Sequence, residues 1–112
     1  MLAQAHRTKA ERFEKTLMKL QHDADSEGII ELAWTAAFQW IAFGSETKYG
    51  QHQNTHTRLN RFLKNLGEQT AADWWETLDT LRQGGTYGGE PDPAKVTEAL
   101  SLLAQIRQWA TQ

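Results

Sequence analysis

The sequence predicts an all-α fold: an antiparallel, up-and-down bundle of four to five helices forming one domain over residues 1–112. Three observations lead there. Residues Ile29 to Phe43 would be apolar on nearly every side of a helix. Four further segments repeat their apolar residues at steps of three and four, the spacing of one helical face. No segment sustains the period-two alternation of a strand.

The central run is interrupted only by Glu31, Thr35 and Gln39, which a spacing of four stacks into one narrow polar stripe. A helix apolar around the rest of its circumference has to be buried. At about fifteen residues it is shorter than the roughly twenty that span a bilayer, and Glu31 stands near its start, so it reads as a core helix.

Before it, Ala3 to Gln21 places His6, Ala10, Phe13, Leu17 and Leu20 on one face, with Arg7, Lys9, Arg12, Lys15 and Lys19 around the rest. The acidic run from Asp23 to Glu27 breaks this helix. It offers Asp25 or Ser26 as the next N-cap and sets carboxylates beside the positive end of the next helix dipole. After the central run, Gly44 is expected to stop the helix and residues 44–53 to form an exposed loop. Asn54 or Thr55 would cap a third helix with Leu59, Phe62, Leu63 and Leu66 inward, ended by Gly67.

Thr70-Ala71-Ala72-Asp73 has the form of a capping box, with aspartate in the place usually taken by Glu or Gln. It opens a fourth helix carrying Trp74, Trp75, Leu78 and Leu81, which Gly84-Gly85 is expected to end. The glycine-rich stretch 84–91 fits neither helix nor strand. Asp92 as cap and Pro93 in the first turn then begin a last helix, with Val96, Ala99, Leu100, Leu103, Ile106 and Ala110 on its inner face.

A net charge of -2 gives no general attraction to nucleic-acid backbones or anionic lipid, so contact with RNA would need a local basic patch. The absence of cysteine excludes disulfides, thiolate metal sites and cysteine nucleophiles. Met1-Leu2-Ala3, followed by His6, Arg7 and Lys9, lacks the apolar run of a signal peptide, and the expected location is cytoplasmic, with no membrane partner. Trp74 and Trp75 lie about 100° apart on a helix, and Leu102 and Trp109 form a line outside the main face of the last one. These surplus apolar surfaces predict a seam between two copies of the chain, a homodimer, unless the fifth helix wraps across and covers them.

Among candidate sites, His52 and His56 have the i, i+4 spacing of two metal ligands, but no third ligand follows in reach, so neither metal nor cofactor is expected. With Arg58 and Arg61 they form a loose phosphate-binding pattern. Asp73, Glu76 and Asp79 set carboxylates at three-residue steps, and Asp79 and Arg82 make an i, i+3 ion pair. His6, on an apolar stripe, reads as structural. Arg107 is expected to snorkel outward or to pair with Glu31. Arg82, closing a helix ahead of Gly85, Tyr87 and Gly88, would fix the loop that follows or hold a phosphate against its amides.

The helix segment Trp34-Thr35-Ala36-Ala37-Phe38, the helix start Thr55-His56, and Leu81-Arg82 leading into Gly85-Thr86-Tyr87-Gly88 before a final amphipathic helix together resemble the HEPN superfamily, from Glu27 onward. The resemblance implies a compact antiparallel bundle that pairs as a homodimer and often works beside a nucleotidyltransferase in toxin–antitoxin systems. Its active branches cut RNA without metal, using an arginine followed after four to six residues by a histidine. Arg82 matches the arginine, but Tyr87 stands where a histidine is required, and His6, His22, His52 and His56 all precede Arg82. A phenol with a pKa near about 10 is a poor general acid or base at neutral pH. The expectation is a non-catalytic interaction or ligand-binding module using Arg82, Gly85, Tyr87 and Gly88. The alternatives are a metal-independent RNase using Arg82 with His56, and a small-ligand or metal pocket formed by Glu31 with His52 or His56.

Overall fold

The apolar run becomes the middle of a longer helix on which the other elements assemble. The structure, a computed structural model, describes residues 2–21, 24–86 and 93–112. Five helices lie within them: α1 (Ala3–Leu17), α2 (Ser26–Tyr49), α3 (Leu59–Asn65), α4 (Gln69–Thr86) and α5 (Pro93–Thr111), with no strand among the described residues. Helices α1, α4 and α5 pack on α2, while α3 packs on α4. The radius of gyration of 13.3 Å is that of a compact chain, about 13 Å being usual near 100 residues. Among the described residues no helix is long and apolar enough to cross a membrane.

Burial follows the sequence pattern on α1, where His6, Ala10 and Leu17 are buried, and on α2, which buries residues from Ile29 to Ser45 on almost every side. The polar stripe serves neighbours as well as solvent. Glu31 meets Arg82 of α4, and Gln39 meets His6 of α1. The α1–α2 connection is closed by Asp25, whose carboxylate accepts the Gln21 amide at 2.9 Å and whose own amide donates to the Gln21 carbonyl. Asp25 is the N-cap residue, yet its side chain makes no capping bond to α2.

Five boundaries differ from expectation, the first at α1, which ends at Leu17 rather than near Gln21. Helix α2 runs through Gly44 to Tyr49, and Gly50 at φ 69° supplies the left-handed C-cap. Gly44 has another role. A Cβ there would lie 2.8 Å from the Trp109 ring and 2.9 Å from the Ala110 Cα, so glycine lets α2 and α5 approach closely. Helix α3 starts at Leu59 rather than near Asn54, and ends at Gly67 with φ 82°. There the Glu68 amide reaches the Leu63 carbonyl and the Gly67 amide the Lys64 carbonyl, a Schellman termination. Helix α4 starts one turn's edge early, at Gln69, and Asp73 accepts a bond from Gln69 instead of closing a box with Thr70. It then continues through Gly84 and Gly85 to Thr86. Helix α5 begins at Pro93 as expected; Asp92 lies outside the described residues.

Three indoles are pinned by carboxylates from elsewhere in the chain. Trp40 on α2 donates to Glu14 of α1 at 2.7 Å, and Arg107 of α5 meets the second oxygen of that carboxylate. Trp109 on α5 donates at 3.0 Å to Glu68, which also accepts the Tyr49 hydroxyl at 2.6 Å. Trp34 on α2 donates at 2.9 Å to Asp79 of α4. Arg107 therefore pairs with Glu14, and Glu31 is taken by Arg82. The surfaces from which a seam between copies was read are largely covered within one chain: Trp75, Leu102 and Trp109 are buried and Trp74 is partly buried against the core. The physical ground for a dimer at those residues is thereby removed: Trp75 packs on Trp34 and Phe38 of α2, and the Trp109 ring lies against α2 at Gly44.

Two outcomes follow. Gly44→Ala should destabilise the fold by about 1–3 kcal/mol in urea denaturation, since overpacking against an α5 backbone outweighs a helix-propensity gain of about 1 kcal/mol. Gly28→Ala, whose Cβ would make only an ordinary 3.8 Å contact with Leu20, should be neutral or stabilising, and equal effects at both positions would refute the close-approach role. The bond to the Glu68 carboxylate, reinforced by its charge, raises the Tyr49 pKa above 10.0. In a Tyr87→Phe background, ultraviolet titration should show the phenol ionising above 10.0, and Glu68→Gln should bring it back. The bond's stabilisation is complete below the unfolded value near about 10 and is lost as pH rises through the raised folded value.

Candidate functional site

Trp34 sits where α2, α4 and the segment before α3 meet. Phe38, one turn along α2, stacks with it at 6.5 Å between centroids, and Trp75 of α4 lies 5.4 Å away. Two further residues of α4, Asp79 and Arg82, reach the same indole, as their i, i+4 and i, i+7 spacing from Trp75 allows. Asp79 holds the ring nitrogen. The Arg82 guanidinium lies 4.0 Å from the ring centroid and donates through Nε to Glu31 Oε2 at 3.1 Å. The His56 ring meets the indole edge-on, at 4.9 Å and 71°.

Arg82 and His56, the two candidate catalytic residues, are thus brought to one aromatic ring despite their separation in sequence. Arg82 is engaged by Glu31 and Trp34, and Asp79 accepts bonds from Trp34 and Gln83 rather than pairing with Arg82. His52 has a different environment from His56. Its Nδ1 lies 2.9 Å from Glu46 Oε2, and its ring is 5.2 Å from that of His6. His52 therefore stands apart from the group around Trp34, to which His56 belongs directly and Glu31 through Arg82. Among the described residues no group of three or more His, Asp or Glu side chains is placed to share a metal ion. Gly85 lies within α4, while Tyr87 and Gly88 lie outside the described residues.

Beside Trp34 opens a pocket of about 420 Å³, with Trp34 and Phe38 as its aromatic side and Thr35, Asn54, Thr55, His56 and Thr57 around it. The volume falls within the roughly 300–1,000 Å³ usual for small-ligand sites. Its lining offers ring faces for stacking and amide and hydroxyl groups that both donate and accept. No residue of the lining other than His56 is ionisable.

A wider concavity of about 820 Å³ runs along α1 and the end of α5, lined by Arg7, Arg12, Lys15, Arg107, Glu11, Glu14 and Trp40 among others. Two of its four cations have acidic partners: Arg7 pairs with Glu11 at 3.6 Å and Arg107 with Glu14. Arg7 also stands over the Trp40 and Phe43 rings.

Reasoning from spacing found Arg82 and His56 but missed Trp34, Phe38 and Asn54 as site residues. The available signal was Trp34 and Phe38 on one face of α2 flanking Thr35, a pattern indistinguishable in sequence from core packing. Comparison of the chain with family models, with curated proteins and with solved structures gives no match.

Proposed function

We propose that this chain is a non-catalytic, HEPN-like helical binding module, and that the pocket beside Trp34 takes a flat heteroaromatic ring of the nucleobase type. The observation that carries this reading is the state of Arg82. Its guanidinium is occupied by Glu31 and the Trp34 face, so the site offers stacking and neutral hydrogen bonds rather than a free cation for a developing charge. Stacking on aromatic side chains contributes about 1–3 kcal/mol per base, and Asn54, Thr55 and Thr57 can read a ring edge.

An antiparallel arrangement of the helices, a homodimer, a nucleotidyltransferase partner, a toxin–antitoxin setting and a cytoplasmic location belong to the same proposal; the first four rest on the motif resemblance and the last on the sequence pattern. A metal-independent RNase is the second reading, favoured by one observation: Arg82 and His56 contact the same indole.

Calorimetric titration with free nucleosides should show saturable binding, weakened severalfold or more by Asn54→Ala, an exposed position whose loss leaves the fold unchanged. No binding by any nucleoside would contradict the pocket assignment. Incubated with RNA in excess chelator, the protein should leave the RNA intact, and Arg82→Ala should reduce stability by about 1 kcal/mol through loss of its ion pair and stacking. Cleavage that disappears in both Arg82→Ala and His56→Ala would establish the RNase instead.

A further inference from the structure

The concavity along α1 and the end of α5 is opposite in charge to the chain as a whole. Four cations, Arg7, Arg12, Lys15 and Arg107, line it against two carboxylates, Glu11 and Glu14, whereas the sequence carries a net charge of -2. The two carboxylates are not equivalent. Both oxygens of Glu14 are taken, one by the Trp40 indole and one by Arg107, so its charge is answered within the floor of the concavity. Glu11 is exposed and meets Arg7 at 3.6 Å, an i, i+4 contact on a helix surface that an incoming anion can replace. Arg12 and Lys15 are exposed as well, and neither has an acidic partner among the described residues.

We propose that this concavity binds a short linear oligophosphate, with Arg12 and Lys15 as its main contacts and Arg7 and Arg107 flanking them. Phosphate oxygens only accept hydrogen bonds, and a guanidinium fork meets them with two parallel donors. Arg7 stays in place without Glu11, because its guanidinium also lies 5.8 Å from the Trp40 centroid and 5.5 Å from that of Phe43. A cation held in advance loses less freedom when the anion arrives. A chain of phosphates, charged at every unit, meets cations spread along a helix better than one phosphate can. Trp40 is 2% exposed, so the floor has almost no ring face for a nucleobase, and the charge alone is recognised. The concavity shares no lining residue with the pocket beside Trp34, and the proposal does not rest on the reading given to that pocket.

The test is calorimetric titration of the 112-residue chain with tripolyphosphate in a phosphate-free buffer of low ionic strength. One equivalent should bind saturably and about tenfold or more tighter than orthophosphate. Arg12→Gln and Lys15→Gln, at exposed positions where glutamine keeps a similar helix propensity, should each weaken binding severalfold. Glu11→Gln should strengthen it severalfold, since it releases Arg7 and removes a repelling charge, a gain that a merely structural role for these side chains would not produce. Lys64→Gln, on α3 and outside the concavity, changes the net charge by the same amount as Lys15→Gln and should leave binding unchanged. Absence of saturable binding, an equal loss in Lys64→Gln, or weaker binding in Glu11→Gln would each overturn the proposal. Tighter binding of oligothymidylate or oligoglutamate at matched charge concentration would overturn it too, by assigning the surface to a nucleic-acid backbone or to an acidic peptide.

Discussion

An indole packed between elements leaves one donor that needs an acceptor, and in this chain a carboxylate from elsewhere in the sequence meets that need three times. Trp40 is held by Glu14, Trp109 by Glu68 and Trp34 by Asp79. Each carboxylate takes a second donor as well: Arg107, Tyr49 and Gln83 respectively. Apolar packing alone tolerates sliding and rotation of one helix on another. A directional bond between a ring nitrogen and a charged oxygen does not, so these three points fix how α1, α4 and α5 sit against their neighbours. Loss of any one carboxylate would leave a part-buried donor without its acceptor, at a cost of about 1 kcal/mol.

The same constraint shapes the candidate site. Asp79 holds the Trp34 nitrogen from α4, and Arg82, one turn further on, covers the ring and is balanced by Glu31 of α2. The indole is thereby fixed in position, with Phe38 beside it and the 54–57 segment opposite. A rigid aromatic wall loses little conformational entropy when a flat ligand stacks on it. Structural pin and binding surface are one residue.

Much of the architecture was legible because it is local. The burial of α2 on nearly every side, most of the inward faces of α1 and α5, though not that of Leu102 and Trp109, and the placement of Pro93 follow from spacing within one helix. Gly44 was not legible. After an apolar run, a glycine that caps a helix and a glycine that admits a neighbouring backbone look the same, and only the approach of Trp109 and Ala110 distinguishes them. The indole–carboxylate pairs were hidden for a different reason: their partners lie 26, 45 and 41 residues apart for Trp40, Trp34 and Trp109, beyond any helical period. For the candidate site, Arg82 and His56 stood out by motif and spacing, whereas the part played by Trp34 depends on which tertiary neighbours complete its ring. The apolar residues that read as a seam between copies were surplus only in a count that left out the cover provided by α2.

Hydrogen exchange of the indole N–H groups in a ¹⁵N-resolved spectrum tests the three pins most directly. The sequence has five tryptophans, and the account predicts that the Trp34, Trp40 and Trp109 signals exchange slowly while that of the partly buried Trp74 exchanges faster. Rapid exchange at Trp34, Trp40 and Trp109, equal to that of Trp74, would contradict it.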